Sequence, residues 1–95
     1  MVDIRQLRYF LAIADAPSIS AAAQAIGVAQ PSLSQHVQRM EEELGVKLVD
    51  RSPRGTLLTQ EGHVLVEHAR RICDSLDRCM ADMRELGGVI RGCVG

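Results

Sequence analysis

Apolar residues recur at helical spacing through most of this 95-residue chain, and the stretches between them carry proline or glycine. Ile4, Leu7, Phe10, Leu11 and Ala14 predict a first helix over residues 4–14 with one buried stripe. Asp15-Ala16-Pro17-Ser18 ends it, because a proline disfavours helix in the residue before it. Ser18 then serves as N-cap of a short second helix over 19–26. Its Ala21, Ala22, Ala23 and Ala25 let a neighbouring helix approach closely. Gly27 closes this helix by taking up the left-handed conformation of a tight turn. Between Ala29 and Gly45, Leu33, Val37, Met40 and Leu44 are spaced four, three and four apart and form the stripe of a third helix. Pro31 falls in its first turn, where a missing N–H costs nothing.

Beyond Gly45 the period changes. Lys47–Asp50 (KLVD) and Thr56–Thr59 (TLLT) are short β-prone runs, joined by the turn Ser52-Pro53-Arg54-Gly55, and together predict a small hairpin. Thr59 can cap a last helix, with Glu61 suited to the positive end of its dipole. That helix is expected to run to about Leu86 and to stop at Gly87-Gly88. Leu65, Ala69, Ile72, Leu76, Cys79, Met83 and Leu86 alternate spacings of four and three through it, the pattern of a coiled-coil seam. About 28 residues at 1.5 Å each reach roughly 40 Å. Three short helices cannot cover that length, and packing on the chain's own body would serve the first two turns only. A symmetric dimer is the economical solution.

The expected fold is therefore mainly α: a winged helix-turn-helix, with three helices and a short two-stranded wing, followed by a long coiled-coil linker helix. On the third helix, Gln30, Ser32, Ser34, Gln35 and Gln38 lie off the apolar stripe near its leading end. They form hydrogen bonds and carry no charge, which suits the reading of base edges in a major groove. An ordinary amphipathic surface helix would share the stripe, and any αα-hairpin would share the turn at Gly27-Val28-Ala29. The polar leading end favours the DNA-reading alternative. Arg51 and Arg54 sit at the hairpin tip, placed either to contact DNA or to be solvated loop arginines.

Composition narrows the field. Tyr9 and Phe10 are the only aromatics, so the core must be aliphatic. No apolar run approaches the ~18–20 residues that span a bilayer, and MVDIRQLRYF lacks a signal-peptide core. No membrane association is expected, and a cytoplasmic location is. Cys73, Cys79 and Cys93 lack zinc-site spacing and read as reduced thiols used as small apolar residues. The net charge of −1 hides a local surplus of two positive charges over residues 45–59, where Lys47, Arg51 and Arg54 face Asp50 alone. Residues 60–88 carry an acidic surplus instead. The three histidines, His36, His63 and His68, lack metal-pair spacing, and no phosphate loop or nucleophile-base set is present. No catalytic residue, metal or cofactor is expected.

Taken in order, DIRQLRYFLAIAD, SISAAAQAIGVAQPSLSQHVQRMEEELGVKLVDR and LTQEGHVLVEHARRI resemble the amino-terminal domain of the LysR-type transcriptional regulators across residues 3–87. The resemblance implies a DNA-binding domain at 1–58, a dimerising linker helix at 59–87, and a hinge at 88–95 opening the first strand of an effector-binding domain absent from this chain. It implies sequence-specific binding of double-stranded DNA by a homodimer on an inverted-repeat operator, with a tetramer in a full-length protein. A small-molecule inducer would act only through the absent domain. Carried onto this chain, Gln30, Pro31, Ser32, Ser34, Gln35 and Gln38 would face the major groove, Ser18 and Ser20 would meet phosphates, and Arg51 and Arg54 would serve the wing. Two positions depart from the family pattern. Ala29 stands where a serine cap is frequent, and Gln35-His36 stand where an arginine is common, which shifts the expected contacts from guanine toward adenine. The competing class is a protein-binding dimerisation module whose third helix is merely solvated.

Overall fold

The computed structural model describes residues 1–52 and 55–94, with side chains for all of these except residues 51–52 and 88–94. Helix α1 (Ile4–Asp15) opens with a capping box: Gln6 N–H donates to Asp3 Oδ1 at 2.9 Å, and Asp3 N–H donates to Gln6 Oε1 at 3.2 Å. Helix α2 (Ile19–Ile26) starts at Ser18, whose Oγ accepts from Ala21 N–H at 3.0 Å, and ends at Gly27 with φ of 74°. Helix α3 (Gln30–Leu44) has no side-chain cap, since Ala29 offers none, and ends at Gly45 with φ of 72°. These bounds match the expected ones to within a residue because local signals mark them in the sequence: Pro17 follows α1, Ser18 caps α2, Pro31 opens α3, and Gly27 and Gly45 close α2 and α3 in the left-handed conformation.

The core joins Leu7, Phe10 and Ile13 of α1, Ile19, Ala22 and Ala23 of α2, and Leu33, Val37 and Met40 of α3 to Leu48, Val49, Ala69 and Cys73. Phe10, Leu33 and Met40 are its largest wholly enclosed side chains among the described residues, along with Leu48 and Val37. Truncating Phe10 to alanine would cost about 3–5 kcal/mol. Some expected stripe positions differ. Ile13 is buried, whereas Leu11 and Ala14 are half-buried. Leu44 is 44 % exposed, because the chain turns away at Gly45 and leaves no partner above it.

Strands β1 (Val49–Ser52) and β2 (Gly55–Leu58) pair antiparallel, Val49 opposite Leu58 and Ser52 opposite Gly55. The ladder thus begins two residues later than KLVD. Residues 46–48 instead serve as a connector held by side chains. Glu41 Oε2 accepts from Leu48 N–H at 2.8 Å, and Thr59 Oγ1 donates to the Lys47 carbonyl at 2.6 Å. Thr59 also caps the next helix, its Oγ1 accepting from Gly62 N–H at 3.0 Å.

Helix α4 (Gln60–Val94) is 35 residues long and accounts for the 59 Å long axis of the molecule. It does not stop at Gly87-Gly88, and residues 88–94 are helical rather than the start of a strand. A helix-interior glycine costs only about 1 kcal/mol relative to alanine, and Gly87 does not take the positive φ of a terminating residue. Among the described residues no helix is long and apolar enough to cross a membrane.

Two stripes share α4. Gly62, Ala69 and Cys73 are buried, with Val66 packed beside them on the core. Ile72, Met83 and Leu86 are 47, 54 and 53 % exposed, and Cys79 is exposed as well. At about 100° per residue the two rows lie roughly a quarter-turn apart, with half-buried Leu65 and Leu76 between them. Ala69 therefore belongs to the monomer core, not to an open seam, and the body covers α4 well beyond its first two turns. Two ion pairs, on the side of the buried row away from the exposed stripe, bind α4 to α1: Arg8–Asp77 at 2.9 Å and Arg70–Asp15 at 2.6 Å. In both, the hydrogen bond and the charge of the aspartate raise the arginine pKa above its ordinary value, so each arginine keeps its charge.

Candidate nucleic-acid interface

The interface is built by fixing one face of α3 and freeing the other. Leu33, Val37 and Met40 anchor the helix to α1 and α2 through the core. The opposite face carries Pro31, Ser32, Gln35 and Gln38, all exposed. At about 100° per residue these four lie within an arc of about 120° centred on Gln35. Gln30 and Ser34 lie on the flank of that arc. Gln30 is exposed, and Ser34 is half-buried. His36 lies on the other flank, edge-on to Tyr9 with ring centroids 5.0 Å apart. Its Nδ1 is buried with no hydrogen-bond partner in the structure, so that nitrogen is turned from any groove.

Arg39 is exposed one turn beyond Gln35, on the same arc. It lies beyond the uncharged leading end of the helix and so outside the residues expected at the interface. Its spacing of four from Gln35 was the available signal. It adds a positive charge to a face whose only other charge, Glu42 toward the far end, is negative.

The two serines expected at phosphates differ in chemistry. Ser18 Oγ accepts from Ala21 N–H, and its own proton has no acceptor among the described residues. Ser20 Oγ donates its proton to Gln30 Oε1 at 2.8 Å. A phosphate oxygen only accepts, so Ser20 would have to break that bond to reach one. In the wing, Arg51 lies in β1 opposite Thr56. Arg54, with Pro53, lies outside the described residues. Gly55 has φ of 123°, a conformation open to glycine, and a Cβ there would sit 3.4 Å from the Pro17 carbonyl oxygen. That closeness sets the wing beside the start of α2.

The three carboxylates at the far end of α3 are not one free acidic patch. Glu41 is bound to the connector, and Glu43 pairs with the amino terminus. Leu44, Val46, Leu48, Val64, Leu65 and His68 line an apolar groove of about 550 Å³ that reaches half-buried Leu65 of α4.

A helix-turn-helix whose second helix is anchored by one face and open on the other, followed by a two-stranded hairpin, defines the winged helix-turn-helix class. Residues 4–63 match the model of the bacterial regulatory helix-turn-helix proteins of the lysR family, and the chain belongs to that family. It is 45 % identical over 80 residues to the SDS degradation transcriptional activation protein of Pseudomonas sp. (strain ATCC 19151), an alignment covering 84 % of this chain and 26 % of that protein. The chain thus spans about a quarter of that relative's length. Its fold is similar to the CbnR DNA-binding domain in complex with DNA (TM-score 0.86, 41 % identity, 90 % of this chain and 99 % of that one). It is also similar to the BenM DNA-binding domain on the catB site 1 DNA (TM-score 0.87, 34 % identity, 90 % and 97 %). The named relatives are regulators of transcription.

Proposed function

We propose that this chain is the sequence-specific DNA-binding part of a cytoplasmic transcriptional regulator, acting as a homodimer on an inverted repeat in double-stranded DNA. The observation that carries this reading is the outward arc of α3. Pro31, Ser32, Gln35 and Gln38 are exposed together, while Leu33, Val37 and Met40 hold the opposite face rigid. Uncharged hydrogen-bonding groups on a rigid helix discriminate base edges, and exposed arginines such as Arg39 add affinity without sequence preference. Two structural relatives of similar extent are complexes with DNA, which supports the reading.

The dimer rests on the outer stripe of α4. Ile72, Met83 and Leu86 expose apolar surface along one line, which a second copy can cover by the same stripe. We assign residues 1–58 to DNA reading and the helix from residue 59 onward to dimerisation. Tetramer formation and inducer binding are assigned to a further domain.

Selection of bound duplexes from a random pool, read at two salt concentrations, tests the proposal. Recovery of an inverted repeat is the expected result. Binding without a consensus that disappears at the higher salt would leave only backbone electrostatics. The dimerisation-module reading would then be favoured.

A further inference from the structure

Among the described residues, His36 Nδ1 is the one buried side-chain polar atom without a hydrogen-bond partner. The ring stands edge-on to Tyr9 of α1, at an interplanar angle of 67° and 5.0 Å between centroids. The residue as a whole is half-buried. Its Nε2, also without a partner among the described residues, is not enclosed. The base of the imidazole is thus shut in beside Tyr9, and its tip is open. An orphaned buried nitrogen is unfavourable, and an apolar ring would fill the same space without that cost. What histidine adds here lies at the open end. We propose that His36 binds a DNA phosphate through Nε2, bracing one edge of α3 against the wall of the groove. The inference rests on the DNA-reading function proposed above and extends it from bases to backbone.

At about 100° per residue, His36 lies a little over a quarter-turn from Gln35, the centre of the reading arc. A helix about 10–12 Å across with its side chains fills a major groove about 12 Å wide. Its centre line then meets base edges, and its flanks meet the phosphate-lined walls. Ser32, one turn before His36, and Arg39, one turn after it, lie on the same side of the arc and are exposed. That edge of α3 therefore carries three donors in a row: Ser32, His36 and Arg39. Glu43, two turns beyond His36, is paired with the amino terminus. A phosphate oxygen only accepts, so the group that meets it must donate. No acceptor among the described residues holds a proton on Nδ1, which leaves Nε2 free to carry it.

Three variants test this. H36F keeps a ring against Tyr9 and replaces both nitrogens with carbon. H36Q sets an amide N–H as many bonds from Cβ as Nε2, and H36N stops at the distance of Nδ1. The melting temperature of H36F should match or exceed that of the wild type, since no orphaned nitrogen remains. On the duplex recovered by selection and on random duplexes alike, H36F and H36N should bind about tenfold more weakly, the scale of one hydrogen bond to a charged group. H36Q should bind like the wild type. A methylphosphonate scan of the recovered duplex should find one phosphate per half-site whose neutralisation costs the wild type about tenfold and H36F nothing further. H36F binding as tightly as the wild type, or H36Q falling with it, would overturn the proposal. So would an H36F loss confined to one operator sequence, which marks a base contact. In each of these cases the selected consensus stands, whereas a wild type that recovers no consensus removes the DNA-reading assignment itself.

Discussion

Glu41 on α3 and Leu48 in the connector to the wing are joined by a 2.8 Å hydrogen bond from the Leu48 N–H to Glu41 Oε2, with the Val49 N–H at 3.4 Å from the same oxygen. Leu48 is enclosed in the core, so its N–H has no water to turn to. One carboxylate therefore couples α3 to the wing.

Glu41→Ala should destabilise the chain by about 1–3 kcal/mol, the cost of a buried donor left unsatisfied. For a domain of this size that is roughly 4–8 °C in Tm per kcal/mol. Glu41→Gln keeps an acceptor oxygen and should recover most of the loss. Thermal denaturation at fixed protein concentration compares them, since a dimer's Tm depends on concentration. Equal stability of all three proteins would remove this bond from the account.

Two glycines of α4 should respond to alanine with opposite signs. A Cβ on Gly62 would overlap the Leu48 carbonyl oxygen and lie 3.4 Å from Leu58 Cβ. Gly62→Ala should then cost about 1–3 kcal/mol, as overpacking against backbone does. A Cβ on Gly87 meets nothing within 4 Å, and Gly87→Ala should raise helicity by up to about 1 kcal/mol in helix propensity. Circular dichroism melts of both variants settle the signs.

The dimer is best probed where the monomer does not already use the side chain. Leu76 is half-buried, so an aspartate there would disturb the body as well as any contact between copies. Met83 is exposed by about half. Met83→Asp should leave the circular dichroism unchanged and shift the sedimentation mass toward the 10.4 kDa of one chain, because two buried like charges at a symmetric contact are costly. A variant of unchanged dimeric mass would place the contact off the outer stripe.

Phosphate and base contacts should separate in binding assays. Arg54→Ala and Arg39→Ala should each weaken binding about equally across DNA sequences and reduce the salt slope by about one unit. Gln35→Ala should lower discrimination between sites, with about 1–3 kcal/mol at stake. An Arg54→Ala variant of unchanged affinity would exclude the wing from the interface. Equal losses for Gln35→Ala on specific and random duplexes would exclude base reading there.

The helix-turn-helix was legible because its ends are written in local chemistry: Ser18, Gly27, Pro31 and Gly45 act on their own neighbours. Three features were not, and each depends on distant chain. The burial of Cys73 needs α1 lying against α4, and the longer heptad pattern of Leu65 to Leu86 masks its row. Gly62 reads as a weak helix residue until the Leu48 carbonyl is seen above it. The pairing of Ser20 with Gln30 crosses a turn, so composition gives each residue a role but not their shared proton. Gly87-Gly88 misled because a glycine stops a helix only where the chain has a better left-handed alternative.

The ion pairs Arg8–Asp77 and Arg70–Asp15 cross between α1 and α4 in antiparallel order, and Ala69 and Cys73 fill the space between the helices. Each pair, half-exposed, contributes little to stability. Together with the core contacts they define the angle at which α4 leaves the body. In a dimer closed through the outer stripe, that angle works as a caliper, setting the distance between the two reading helices and hence the number of base pairs between half-sites. An allosteric signal that retunes operator spacing must therefore flex α4 beyond Asp77, where neither ion pair reaches, or slide one stripe along the other.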